Sequence, residues 1–281
     1  MRRFHPHPLL GALICLCALV ATGVLALTVP AVQVRDQAAL RGFVEIELNR
    51  PRLGPLADHI ASLADPVPYL LIGLALAVVA YVRGRPRVAA AIVLLLVATG
   101  TTTQILKPLL AHPRPDDWAY GRISDASWPS GHATAAMTLA LCAVMAAPQR
   151  LRPIVALVAA AFATAVSYAI LMLAWHFPSD VLGGLLVAGT WTCLAVAAIN
   201  ALERRWPSPA RAAEPPIRPL EPQVVGGAIA GVALVVAAVA LTGPADVAGY
   251  AVDRPTFVAG AGAIAVLAGA LAAGLARVIR N

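Results

Sequence analysis

Residues 129–147 read PSGHATAAMTLALCAVMAA, an apolar stretch whose polar side chains are gathered at its beginning. Serine is a typical helix N-cap residue, so Ser130 marks the start of a helix. The apolar run that follows predicts a membrane span over Ser130–Ala147. The N-terminus of a helix presents free N–H groups and a positive dipole end, which favours a bound phosphate. This stretch therefore joins a membrane helix to a place where an anion can bind.

The composition indicates a membrane protein. The 281 residues are 60% hydrophobic and only 12% charged, whereas soluble domains carry about 25% charged residues. All four cysteines lie inside apolar runs, so we predict no disulfide and no thiolate metal site. The net charge of +7 does not indicate nucleic-acid binding, because the basic residues are scattered among short loops where membrane topology explains them.

Membrane helices need about 20 apolar residues to cross the bilayer, and we predict eight of them in an all-α polytopic bundle. The second is short and extends backward through Asp65 if it is to span. We divide the chain into a six-helix core (1–202), a cytoplasmic Pro-rich linker (203–222) and a C-terminal helix pair (223–281). The predicted spans are Leu9–Val29, Pro68–Val82, Val88–Leu106, Ser130–Ala147, Ile154–Trp175, Asp180–Ala201, Val224–Leu241 and Thr256–Ala276.

The distribution of charge predicts the orientation. The loops on the side of the two termini hold 13 of the 21 basic residues and 3 of the 14 acidic ones. By the positive-inside rule this side is cytoplasmic, so both termini are predicted inside a multi-pass protein of the plasma membrane. The first span is favoured as an uncleaved helix; the alternative is a secretory signal peptide, whose apolar core is usually shorter, about 7–15 residues.

Two further segments each allow two interpretations. In the predicted outer loop Val34–Ala64, apolar residues recur at helical spacing, which favours an interfacial helix; the alternative is a lid over the site. In the C-terminal pair, Gly227 and Gly231 have the small-xxx-small spacing of closely packed helices. We favour packing of this pair on the core, and the alternative is a homo-oligomer contact.

Polar residues fall at the ends of several predicted spans, and span counting alone places them at the same, outer face. Each has an ordinary explanation by itself, such as snorkelling of a lysine or capping of a helix. Together on one face, they favour a phosphate site. They are Lys107, Ser130, His132, His176 and Asp180.

The residue types suit phosphate chemistry. Ser130 and Gly131 stand at a helix N-terminus, and Gly131 lets the backbone approach an anion closely. Lys107 and Arg114 add positive charge, and arginine can grip two phosphate oxygens at once.

The histidines and the carboxylate suit proton transfer and nucleophilic attack. His132 is placed to give a proton to a leaving alkoxide. A carboxylate such as Asp180 that accepts from one ring nitrogen of His176 leaves the other nitrogen free to attack phosphorus.

These motifs resemble the three signature motifs of the type 2 phosphatidic acid phosphatase superfamily, in order, spacing and membrane side. The resemblance covers about residues 68–201 and implies a six-helix core that removes phosphate from lipid phosphates or diphosphates without a metal or other cofactor. The matching motifs are Lys107-x6-Arg114-Pro115, Pro129-Ser130-Gly131-His132 and His176-x3-Asp180.

The resemblance also implies a role for each matched residue. His176 would form a phosphohistidine, Asp180 would orient it, and His132 would act as general acid. The residues implied to hold the phosphate are Lys107, Arg114, Ser130 and Gly131.

The third motif departs from the family pattern. The family usually has serine followed by arginine at two positions of this motif. This sequence has Ala169 in place of the serine and Ile170 in place of the arginine. Loss of one preorganised donor to a developing oxyanion costs on the order of 10²–10³ in rate. Arg122 in an outer loop is our candidate to supply the missing charge and is counted among the phosphate-binding residues; Arg254 is a weaker candidate.

We favour a phosphatase acting on a membrane lipid phosphate at the outer face. One alternative is a transferase that passes the phosphoryl or head group to an alcohol. The other is a non-catalytic lipid-binding or scaffold protein, for which Ile170 is the best evidence.

Overall fold

The computed structural model describes residues 8–50, 52–114, 123–207 and 247–279. The regular secondary structure of this part of the chain consists of helices alone, which confirms the all-α prediction. Its helices are α1 (Pro8–Thr28), α2 (Pro30–Asn49), α3 (Leu53–Ser62), α4 (Pro66–Val82), α5 (Pro86–Leu109), α6 (Gly131–Ala146), α7 (Arg152–Met172), α8 (Pro178–Arg205), α9 (Val247–Asp253) and α10 (Pro255–Val278).

Local sequence explains where many of these helices begin and end. Helices α2, α4, α5, α7, α8 and α10 have a proline in their first turn, where its missing N–H costs nothing and its fixed φ suits a helix. Two residues after the end of α4, Gly84 has a φ of 71°, the left-handed conformation that glycine adopts readily and that stops a helix. Ala174, with a φ of 56°, lies two residues after the end of α7 and stops that helix in the same way.

The chain is a multi-pass membrane protein. Five helices (α1, α5, α7, α8 and α10) are long and apolar enough to span a bilayer, and α3 with α4 forms a sixth candidate bent by 51°. Helix α6 has only 16 residues, about 24 Å at 1.5 Å per residue. It packs against α4, α5, α7, α8 and α10 and so forms the centre of the bundle.

The observed spans agree closely with the predicted ones, and the differences have local causes. Helix α7 ends at Met172 rather than at Trp175, because the turn at Ala174 stops it. Helix α8 continues to Arg205, beyond the predicted start of the linker at residue 203, and the division into domains stays a prediction. The span Val224–Leu241 lies outside the described residues, and the count of eight spans with cytoplasmic termini stays a prediction.

The predicted outer loop Val34–Ala64 is largely helical. The helical spacing expected around Leu53–Leu63 corresponds to α3, but the preceding helix α2 was not predicted, because its alternating charged and apolar residues resemble a loop. Helix α2 packs against α7, α8 and α10. Helix α10 also contacts α6, α7 and α8, so this last helix does pack on the core.

Candidate active site

The first turns of α6 and α8 meet at one end of the bundle. The Ser130 amide donates to the carbonyl oxygen of Asp180 at 2.9 Å. Helix α8 reaches this distance because Gly184 has no side chain: a Cβ there would lie 2.6 Å from the Ser130 carbonyl oxygen. The second and third motifs, fifty residues apart in sequence, are therefore joined through backbone atoms.

His176 is held between the end of α7 and the start of α8. The turn at Ala174 is closed by the Trp175 amide, which donates to the Ile170 carbonyl at 3.0 Å. The His176 Nδ1 then faces Asp180 Oδ2 at 3.4 Å, and the opposite ring nitrogen, Nε2, points away from this carboxylate. His176 is only 7% exposed; burial lowers its pKa below the usual value of 6.5, while the hydrogen bond with Asp180 opposes that shift.

Asp180 is held by several polar contacts at the centre of the site. It is fully buried and accepts a hydrogen bond from the Phe177 amide at 3.0 Å, which caps the first turn of α8. Its other oxygen, Oδ1, accepts from Arg114 Nη2 at 2.5 Å. Three groups therefore fix the carboxylate that orients His176.

Arg114 is enclosed rather than open to solvent. Its side chain is 4% exposed and its guanidinium lies 4.2 Å above the Phe177 ring. Besides Asp180, it donates to the hydroxyls of Ser127 at 2.6 Å and Ser179 at 3.1 Å. The structure thus brings the first motif's arginine to the third motif's aspartate.

Lys107 and Gly131 lie together on the other side of the α6 N-terminus. Lys107 stands in the last turn of α5, and a Cβ at Gly131 would lie 3.8 Å from its Nζ. Both residues are half-buried. Ser130, in contrast, is fully buried, and its Oγ accepts from the Ala133 amide at 3.3 Å, the N-cap contact that a serine makes at the start of a helix.

His132 follows in the first turn of α6 and is half-buried. Its ring centroid lies 5.3 Å from that of Trp175, the residue before His176. The predicted residues of all three motifs that the structure describes therefore share one small region.

The central part of the chain matches a known family. Residues 88–204 match the sequence model of the PAP2 superfamily. We refer to residues 88–204 as the PAP2-like region, because they are similar to that superfamily. A crystal structure described as the first transmembrane PAP2-type phosphatidylglycerolphosphate phosphatase from Bacillus subtilis has a similar fold. That similarity has a TM-score of 0.53 at 21% sequence identity, over 69% of this chain and 98% of the other. No curated protein is significantly similar in sequence to this chain.

Ile170 stands where the family resemblance implies an arginine, and the structure shows the surroundings of this residue. Ile170 is fully buried and belongs to the hydrophobic core. Arg254 does not take the arginine's place, since it pairs with Glu45 at 2.5 Å and lies over the Tyr250 ring. Arg122 lies outside the described residues, so its assignment stays a prediction.

Two carboxylates from outside the matched region also reach the site, and the sequence analysis assigned neither a role. Asp65, at the bend between α3 and α4, places Oδ1 3.1 Å from His132 Nε2. Asp36 of α2 accepts from the amide and hydroxyl of Ser179 and lies 3.5 Å from Arg114 Nη1. Neither belongs to a spaced motif, so only a prediction of the tertiary contacts of α2 and α3 would have found them.

Proposed function

We propose that this protein is an integral membrane phosphatase that hydrolyses a lipid phosphate or diphosphate through a phosphohistidine at His176. The observation that supports this proposal most directly is the pairing of His176 Nδ1 with the buried Asp180, which leaves Nε2 available for attack on phosphorus. The PAP2 match and the PAP2-type fold support a phosphatase. The positive-inside count supports a site at the outer face of the plasma membrane.

The first half-reaction transfers the phosphoryl group to the enzyme. Nε2 of His176 forms the new bond to phosphorus as the bond to the lipid oxygen breaks. His132 gives its proton to that leaving oxygen, which departs as the lipid alcohol. Asp65 Oδ1 lies 3.1 Å from His132 Nε2 and so fixes the orientation of the ring for this step.

The second half-reaction returns the enzyme to its starting state. His132, now neutral, takes a proton from water, and the water oxygen attacks the phosphorus of the phosphohistidine. The bond from phosphorus to Nε2 breaks, inorganic phosphate forms, and Asp180 stabilises His176 throughout. The charge on phosphorus is met by Lys107 and by the N–H groups at the start of α6.

The bundle-end position of the site favours a lipid as substrate. Lys107 closes a membrane-spanning helix, so the phosphate site lies where a lipid head group meets the ends of the spans. Phosphatidic acid, phosphatidylglycerol phosphate and polyprenyl diphosphate carry the same terminal phosphate group and form the panel for the test.

Phosphate release from that panel tests the proposal. Wild type in detergent, with EDTA present, is expected to release phosphate from at least one lipid, whereas His176→Ala releases none. The control is His59→Ala, which changes an exposed histidine of α3 and should keep wild-type activity. Addition of an acceptor alcohol separates hydrolysis from transfer, because a transferase would yield the phosphorylated alcohol.

One observation favours a second function, that of a non-catalytic lipid-binding protein. Ile170 stands in the hydrophobic core where the family has a phosphate-binding arginine. If wild type binds the lipids but releases no phosphate from any of them, this second function replaces the first.

A further inference from the structure

Asp36 is a buried carboxylate in α2, the helix that precedes the PAP2-like region (residues 88–204). It lies in the second turn of α2 and is only 9% exposed. A carboxylate is costly to bury unless it is paired and hydrogen-bonded, so its surroundings indicate what it does. Burial raises the pKa of Asp36 to about 7, against the opposing effect of the Ser179 hydrogen bonds and Arg114.

Both hydrogen bonds of Asp36 lie at the start of α8. Oδ1 accepts from the Ser179 amide at 3.0 Å and Oδ2 accepts from its hydroxyl at 2.5 Å. The amides in the first turn of a helix have no partner within the helix, so Asp36 caps α8 from a different helix. The residue after Ser179 is Asp180, which orients the nucleophile.

Asp36 and Asp180 share Arg114. The guanidinium reaches Asp180 through Nη2 at 2.5 Å and lies 3.5 Å from Asp36 through Nη1. One cation between two carboxylates is already neutralised before any phosphate arrives. A phosphate that uses Arg114 must therefore compete with Asp36 for it.

Helices α9 and α10, with Arg254 between them, hold α2, and with it Asp36, in place. The Phe43 ring of α2 packs edge-on against Phe257 at 4.8 Å between centroids. The Tyr250 hydroxyl donates to the Gly42 carbonyl at 2.5 Å, and Glu45 pairs with Arg254. Asp36 is thus positioned by helices that precede the PAP2-like region in the sequence and by helices that follow it.

We propose that Asp36 is a positioning residue that holds Arg114 and the first turn of α8, and that its charge weakens the binding of phosphate at the site. The expected effect of Asp36 on turnover rests on the proposed function. Its consequence for the binding of inorganic phosphate does not depend on turnover. A cap that served stability alone would leave phosphate affinity unchanged.

The decisive variant is Asp36→Asn, which keeps the size of the side chain and removes its charge. At pH 8, above the pKa of Asp36, we expect inorganic phosphate to bind the variant about fivefold more tightly, because the Arg114 guanidinium, 3.5 Å from Asp36, no longer pairs with this carboxylate. We expect kcat to fall at least about tenfold, because a small misplacement of Asp180 and His176 is costly. The control Asp58→Asn removes an exposed carboxylate of α3 and should change neither quantity.

Phosphate affinity that is unchanged or weaker in Asp36→Asn would overturn the inference. If wild type releases no phosphate from any lipid, the proposed function fails, and the comparison of phosphate binding still decides the role of Asp36. If Asp36→Asn does not fold, Asp36→Ser replaces it, because this variant also removes the negative charge. Tighter phosphate binding in Asp36→Ser supports the inference, and unchanged or weaker binding contradicts it.

Discussion

The site contains two histidine–aspartate pairs that the protein holds very differently. In the His176–Asp180 pair the side chains are 9% and 0% exposed; in the His132–Asp65 pair they are 26% and 48% exposed. Asp180 is further fixed by Arg114 and by an amide of α8, whereas Asp65 stands at the bend between α3 and α4. In the proposed mechanism His176 needs a fixed direction of attack, whereas His132 must reach both the leaving lipid and water.

The difference shows that the His176–Asp180 pair is part of the core, whereas the His132–Asp65 pair is partly exposed at its surface. A change in the buried pair should therefore affect both stability and turnover. A change in the exposed pair should affect turnover alone, and only for substrates that need the proton.

The largest effect is expected for Asp180→Asn. The variant removes the charge that orients His176 and leaves the buried Arg114 without its closest carboxylate. We expect kcat to fall about 10³–10⁴-fold, as when an asparagine replaces the aspartate of a serine hydrolase triad. Loss of one partner of a buried ion pair also costs about 3–5 kcal/mol, so thermal unfolding should occur at a lower temperature. Equal activity in variant and wild type would refute the role of the buried pair.

The exposed pair should respond to the leaving group. With a lipid alcohol as leaving group, His132→Asn should lower kcat about 10²–10⁴-fold, the usual contribution of general acid catalysis. With para-nitrophenyl phosphate, whose leaving group needs no proton, the loss should be much smaller. Rates on the two substrates measure this difference, and an equal loss on both would contradict His132 as general acid.

Asp65→Asn should show the same dependence on the leaving group with a smaller loss, under about tenfold, because a half-exposed pair is screened by solvent. Its thermal unfolding should match that of wild type. A marked loss of stability in this variant would remove the contrast between the two pairs.

Gly184→Ala tests the backbone contact that joins the two motifs. The added Cβ would lie 2.6 Å from the Ser130 carbonyl oxygen and 3.0 Å from the Thr134 amide nitrogen, and backbone atoms cannot give way cheaply. Such overpacking typically costs about 1–3 kcal/mol, and activity should fall with it. Gly262→Ala in α10, where no atom lies within 4 Å, is the matched control for calorimetry and phosphate release.

The smallest expected effect is in the pH dependence. Burial lowers the pKa of His176, and the proposed nucleophile must be neutral, so the acid limb of the kcat/KM profile should have its midpoint below 6.5. Asp65→Asn should leave this acid midpoint in place, because Asp65 contacts the other histidine. A midpoint above 6.5 would show that His176 is not the buried group described here.

Motif spacing predicted the buried pair and missed the partner of the exposed one, for a physical reason. His176 and Asp180 lie one helical turn apart at the start of α8, so their contact is local and can be read from sequence. Asp65 and His132 are 67 residues apart, and their contact depends on the bend of α3 against α4. Asp36 is missed for the same reason, since it reaches Ser179 only through the packing of α2.

The sequence predicted the fold about as well as it predicted the site. Long apolar runs gave the spans of α1, α5, α8 and α10 to within a few residues, because a membrane helix is largely defined by its hydropathy. Helix α2 was missed because its mean composition is that of a surface loop. The burial of Arg114 was also missed, since an arginine beside a proline in a loop gives no sign of two carboxylate partners.

Phosphoryl transfer to His176 tests the central claim most directly. Wild type would be mixed briefly with a radiolabelled lipid phosphate, quenched in alkali and digested. The account predicts an acid-labile, alkali-stable label on the peptide that contains His176, absent from His176→Ala and present in His59→Ala. Release of phosphate with no label on any histidine, or with the label on His132, would contradict it.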